Sequence, residues 1–207
     1  MPENSQIEFS VSLEQQDWRV PLRSFGGVLI AAGCTRAAVE DWVAGFVWEE
    51  ADDGFAYLHS HALPLSLAGE DVELVARPAL LGMTPKVYPA LHHTWLHFGL
   101  FFETAILQEP DSLAYRSACL PPIWATMQIC ATAFPTSAIY FTNEIQDDEP
   151  FTGMIERDLE KLWMFDLAIV PETLTSLYEA RPTGFVVSPT GGQLWIRDAL
   201  MIPFDPW

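Results

Sequence analysis

All five histidines of this 207-residue chain fall between positions 59 and 97, as His59, His61, His92, His93 and His97. Clustered imidazoles are the usual seed of a metal site. On a helix His93 and His97 would stand one turn apart and could chelate one ion, and on a strand His59 and His61 would point the same way. Glu103 is an available carboxylate. The residue after His93 is Thr94, so the HExxH general base has no equivalent here. Histidines satisfied within loops or helices are the more economical reading, and a metal-dependent hydrolase built on the histidine group is the alternative.

Two acidic runs are the other concentration of chemistry: Glu49, Glu50, Asp52 and Asp53, then Asp147, Asp148 and Glu149. Converging carboxylates serve glycosidases and two-metal nucleases, but runs within turns are more often solvated. These runs adjoin Phe46, Trp48, Phe55 and Phe151, which pairs charge for steering with rings for anchoring. Nucleophile and nucleotide motifs are lacking: there is no GxSxG, and neither Gly26-Gly27 nor Gly191-Gly192 has P-loop or GxGxxG spacing. The expectation is a binding protein rather than an enzyme, with no cofactor.

The whole chain carries a formal charge of -18, yet half of it is hydrophobic and 13% is aromatic. Acidic disorder is poor in aromatics, so this composition predicts a packed body with an anionic skin. Phosphate and anionic lipid would be repelled, and no local basic patch is visible in the sequence, which argues against nucleic-acid and membrane partners. A basic protein is the partner such a field attracts. Cys34, Cys119 and Cys130 form no CxxC and read as reduced core thiols. The amino end lacks the basic and apolar regions of a secretory signal, and no stretch is apolar enough to span a bilayer, which together predict a cytoplasmic protein.

Several elements must position these groups. Ile7, Phe9, Val11 and Leu13 alternate with polar residues, the period of an edge or outer strand. Thr35 and Gly45 bracket a helix, and an acidic turn separates strand-like runs ending at Trp48 and beginning at Phe55. Residues 72–83 read as a strand broken by Pro78. Leu91, Trp95, Phe98, Phe102 and Ile106 fall at steps of three and four, which predicts a central apolar helix near 90–107. Ile123 to Ala133 reads as a helix and Ser137 to Thr142 as a strand; Thr152 would cap a helix through Trp163. Gly191-Gly192 predicts a β-hairpin near 184–197. Mixed order without βαβ alternation places the chain in the α+β class, as one domain over 1–207 with helices packed on a mixed or antiparallel sheet.

Size, acidity, aromatic-flanked loops (Trp48 with Glu49-Glu50; Asp147-Asp148-Glu149 with Phe151) and the missing active-site signature together resemble the bacterial immunity proteins made against polymorphic or type VI secreted toxins. The resemblance implies a cytoplasmic antitoxin that occludes the active site of a cognate basic toxin, such as a nuclease. On this reading Trp48, Glu49, Glu50, Asp52, Asp53, Asp147, Asp148 and Glu149 form the partner-binding face.

Overall fold

The computed structural model describes residues 3–59, 65–68, 73–109, 111–112, 114–203 and 206–207. Ten strands are present among them: β1 (Asn4–Ser12), β2 (Val47–Glu50), β3 (Phe55–His59), β4 (Leu65–Ala68), β5 (Glu73–Met83), β6 (Trp95–Glu103), β7 (Ile139–Asn143), β8 (Leu167–Pro171), β9 (Phe185–Thr190) and β10 (Gln193–Asp198). They run β2-β3-β5-β6-β1-β7-β8-β10-β9, with β4 also on β5, and every pairing is antiparallel. The helices are α1 (Arg19–Ala31), α2 (Arg36–Ala44), α3 (Thr104–Leu107), α4 (Leu120–Ala133), α5 (Glu149–Glu156) and α6 (Leu159–Leu162). This is an α+β fold with helices packed against the sheet. No helix among the described residues is long and apolar enough to cross a membrane.

Side-chain alternation assigns each strand residue to one of two faces. One face meets α1, α2 and α4: Ile7 and Phe9 of β1, Leu96 to Phe102 at even positions of β6, and Ile139 and Phe141 of β7 bury against Leu22, Phe25, Trp42, Ile123 and Met127. Gly26 lets α1 and α2 approach closely, since a Cβ there would stand 3.1 Å from Val43. The opposite face is covered by α5, α6 and a 3-10 segment at Glu172–Tyr178, over two smaller apolar clusters. One cluster holds Tyr140, Trp163, Phe165 and Ile196, the other Met83, Leu91 and Phe151, and Met154 of α5 packs against both.

The 184–197 hairpin forms as expected, with Gly191 and Gly192 both at positive φ, the combination a two-residue reversal requires. The helix expected between Thr35 and Gly45 and the strand expected at 137–142 are also present. Four expectations are corrected. The central apolar helix near 90–107 is strand β6 followed by the one-turn α3, because a strand buried on both faces reads as an unbroken apolar run whose period cannot be told from a helix. The amino-terminal strand is central, lying between β6 and β7, so its polar residues are buried rather than solvated. Pro78 does not break β5: it faces Leu100 of β6, while on the other edge the pairs with β3 stop at Leu81 and those with β4 begin at Ala76. The missing N–H thus falls where no described ladder needs it. Finally, α5 begins at Glu149, not at a Thr152 cap, and ends at Arg157 in the left-handed region. Asp158 then caps α6 by accepting from the Glu160 and Lys161 amides.

Candidate functional site

Between the two small apolar clusters, the sheet face opposite α1, α2 and α4 carries a polar centre. Its floor is β1, whose even positions Gln6, Glu8 and Ser10 are all buried. Ser10 pairs with His97 across the β1–β6 ladder and Glu8 pairs with Gly99, so His97 and Glu8 are diagonal neighbours on one face. Gly99 puts no side chain opposite Glu8, and a Cβ there would stand 2.8 Å from the Phe101 ring. The roof is the turn entering α5. Asp148 has φ 60°, a conformation that aspartate tolerates. Although it is the residue that would cap α5, its carboxylate makes no capping hydrogen bond and turns inward instead. Gly153 holds this roof down, because its bare Cα lets α5 lie against the α6 backbone, where a Cβ would stand 2.3 Å from the Leu162 nitrogen.

His97 Nε2 lies 3.3 Å from Asp148 Oδ1 and 3.6 Å from Glu8 Oε2. Its Nδ1 is 3.0 Å from the Ser10 hydroxyl, which is held in turn on a strand whose Ser10 carbonyl accepts from Ser137. Gln6 Nε2 donates to Glu8 Oε2 at 2.7 Å and to Asp147 Oδ1. The Asp148 amide approaches Glu8 Oε2 at 3.4 Å. Glu8, His97, Asp147 and Asp148 each offer one ligand atom, and all four atoms lie within 4.8 Å of one another. Glu8 is 1 % exposed and His97 7 %. Burial pushes the Glu8 carboxyl well above its ordinary range, and the neighbouring charges of Asp148 and Asp147 add to that shift. Burial also raises Asp148, against the opposing effect of His97. Beside the centre lies a cavity of about 60 Å³ reached by Glu8, Ser10, His97, Tyr140 and Phe151.

A second buried acid, Asp166, accepts from Tyr115 at 2.6 Å and from Gln146 at 3.1 Å, and Tyr115 approaches Ser5 at 3.4 Å. Burial lifts Asp166 from its ordinary 3.8 to about 6.

No protein-family model, curated protein or solved structure matches this chain. Its own geometry is what bears on function.

The residues singled out in the sequence separate into three groups. Glu49, Glu50, Asp52 and Asp53 are exposed on the β2–β3 hairpin, with Asp53 accepting from the Tyr57 hydroxyl at 2.9 Å. Trp48 is half-buried, its ring 5.8 Å from that of Trp18. Asp147 is exposed, whereas Asp148 is turned into the polar centre and Glu149 stands 3.5 Å from Lys161. Phe55 and Phe151, which adjoin the two acidic runs, pack on the same apolar cluster, so both runs border one patch of the sheet. Of the histidines, only His97 joins the carboxylate group among the described residues. His93 lies in the turn before β6, bonded to Ser12 at 2.7 Å and stacked on Trp95, so the helical His93–His97 spacing does not exist. His61 lies outside the described residues, and His59 ends β3.

Sequence reasoning missed Gln6, Glu8 and Ser10. The available signal was a carboxylate in mid-strand on one side and His97 inside an apolar run on the other, each needing a partner once buried. Arg19, Arg23 and Arg36, three of the ten cationic residues, line one groove between α1 and α2 together with Glu40, and Arg19 pairs with Asp17 and Arg36 with Glu40. They stand on different helices or different turns, so their grouping exists only after folding.

Proposed function

We propose that this chain is an immunity-type protein that binds a cognate secreted bacterial toxin, a basic enzyme acting in the cytoplasm such as a nuclease, and covers its active site. The observation that supports this best is the β2–β3 hairpin at the end of the sheet. Val47 is 56 % exposed and Tyr57 38 % exposed, and Glu49, Glu50, Asp52 and Asp53 surround them. Glu49 pairs with Tyr57 and Val47 with His59 across the hairpin, which sets the apolar residues and Glu49 on a common face. An exposed ring and a branched aliphatic within a fringe of carboxylates fit a partner that grips phosphates: the acids steer the encounter and stand where phosphates would sit, while the apolar groups anchor it. Lys86 adds one cation beside the turn, bonded to the Asp52 carbonyl, and leaves the hairpin acidic.

The test combines protection with kinetics. The gene's neighbourhood is searched for a secreted-toxin domain, the chain is co-expressed with it, and association of the purified pair is timed at low and high salt. Protection of growth is expected, with an association rate that falls as salt rises. Reversing Glu49, Glu50, Asp52 and Asp53 together to Lys should slow association at low salt by about tenfold or more. Absence of protection, or an unchanged rate in the reversed variant, overturns the reading.

A further inference from the structure

We propose that Glu8, His97, Asp147 and Asp148 form a binding site for one divalent transition-metal ion of the manganese or zinc type. The inference goes beyond toxin recognition and rests on the interior of the fold.

Proximity of acids alone would not point to an ion; the unsatisfied atoms do. Glu8 Oε1 and Asp148 Oδ1 are buried and have no hydrogen-bond partner, and Gln6 Oε1 on the same face is also without one. Buried acceptors are almost always paired, and several orphans at one spot call for a missing donor or cation. His97 Nε2 approaches both acids at 3.3 and 3.6 Å, yet no hydrogen bond joins it to either. Gln6 Nε2 already bridges Glu8 Oε2 and Asp147 Oδ1, which leaves Glu8 Oε1 and Asp148 Oδ1 as the buried carboxylate oxygens of the group without a hydrogen bond, beside His97 Nε2. A cation there would answer the orphaned oxygens together and offset the negative charge that the buried Glu8 and part-buried Asp148 would otherwise hold close beside the exposed Asp147.

The donor set chooses the metal class. Three carboxylates suit hard cations, and an imidazole shifts the preference from calcium and magnesium toward manganese and zinc. Ser10 completes the arrangement: with its hydroxyl accepting from Nδ1–H, the lone pair of His97 Nε2 is free for a metal, which is how ligand histidines are commonly oriented. Asp147 is exposed and so gives the ion an entry side, while Glu8 closes the inner side.

The experiment uses metal-stripped full-length protein titrated with Mn²⁺ and with Zn²⁺ in a calorimeter. One equivalent is expected to bind, with a rise in melting temperature. Glu8→Gln and Asp148→Asn, each checked for folding by circular dichroism, should weaken binding by at least about tenfold, whereas His93→Gln should bind like the parent. A second readout needs no variant: pulsed electron paramagnetic resonance of the Mn²⁺-loaded parent should show nitrogen coupling from an imidazole. No saturable uptake up to millimolar metal, affinity unmoved by both carboxylate changes, or no nitrogen coupling each overturns the site. Toxin protection enters none of these readouts, so failure of the metal site and failure of the inhibitor reading remain distinct.

Discussion

Two sides of one strand face two different interiors. The odd residues of β1 place Phe9 against Phe98 at 5.0 Å, Phe25 at 5.8 Å and Phe134 at 4.7 Å, inside a core shared with α1 and α4. The even residues, no less buried, place Gln6, Glu8 and Ser10 beneath α5 among charged neighbours. Aromatic burial is non-directional and grows with area, so the first side stabilises almost whatever its detail. Buried polar groups reward only correct pairing, and the second side leaves several atoms unpaired. The contrast places more of the stability on the face under α1, α2 and α4 and leaves the polar centre under α5 the more dependent on correct pairing.

The largest effect should come from the first side. Phe9→Ala is expected to cost about 3–5 kcal/mol in denaturant unfolding, since the ring is fully enclosed and its three aromatic neighbours cannot collapse onto the gap without moving helices. A loss below about 1 kcal/mol would break the comparison, because the core would then be looser than its packing implies.

Asp166 gives the next largest effect, and it tests what an ionisable group costs in the interior. Its folded value of about 6 stands above its ordinary 3.8, so the folded state holds the proton more tightly than the unfolded chain. The associated stability is complete below about pH 4 and is lost as pH rises through 6, amounting to about 3 kcal/mol. Asp166→Asn cannot titrate, so its stability relative to the parent should climb by up to that amount between pH 4 and 7. Any fixed offset from altered bonds to Tyr115 and Gln146 leaves that slope untouched. Parallel pH profiles for the two proteins would show that Asp166 ionises freely in the fold.

What was legible in the sequence follows the same division. The 193–198 strand and its hairpin partner were readable because Gly191 and Gly192 announce a local reversal, and the helix between Thr35 and Gly45 carries its own stop signals. The β6 run was misread because, His97 and Gly99 apart, Trp95 to Phe102 is apolar on both faces, and only the neighbours of a strand distinguish it from a buried helix. The polar centre was invisible for a different reason. Glu8 and Asp148 are 140 residues apart in the chain, and His97 reaches them through ladder register rather than local spacing. The acidic runs were legible as runs, but not their division into an exposed hairpin and an inward-turned Asp148, which depends on a single positive φ at the start of α5.

The smallest stability change is expected at Glu8, and its smallness is the sharpest part of the comparison. Glu8→Gln keeps an oxygen that can accept from Gln6 and from the Asp148 amide, and replaces the orphaned, ionisable oxygen with an amide group that cannot charge. Removing a charge that burial and two like-charged neighbours disfavour should offset much of what the altered pairing costs. In metal-stripped protein at neutral pH the variant should therefore lie within about 1 kcal/mol of the parent, or above it. Were Glu8→Gln to cost as much as Phe9→Ala, the polar side of β1 would be holding the fold rather than serving a site upon it. If the metal-free variant instead keeps parental stability while losing the melting-temperature rise on Mn²⁺ addition, the two sides of the strand have been separated by one atom: the carboxylate is dispensable for folding and required for binding.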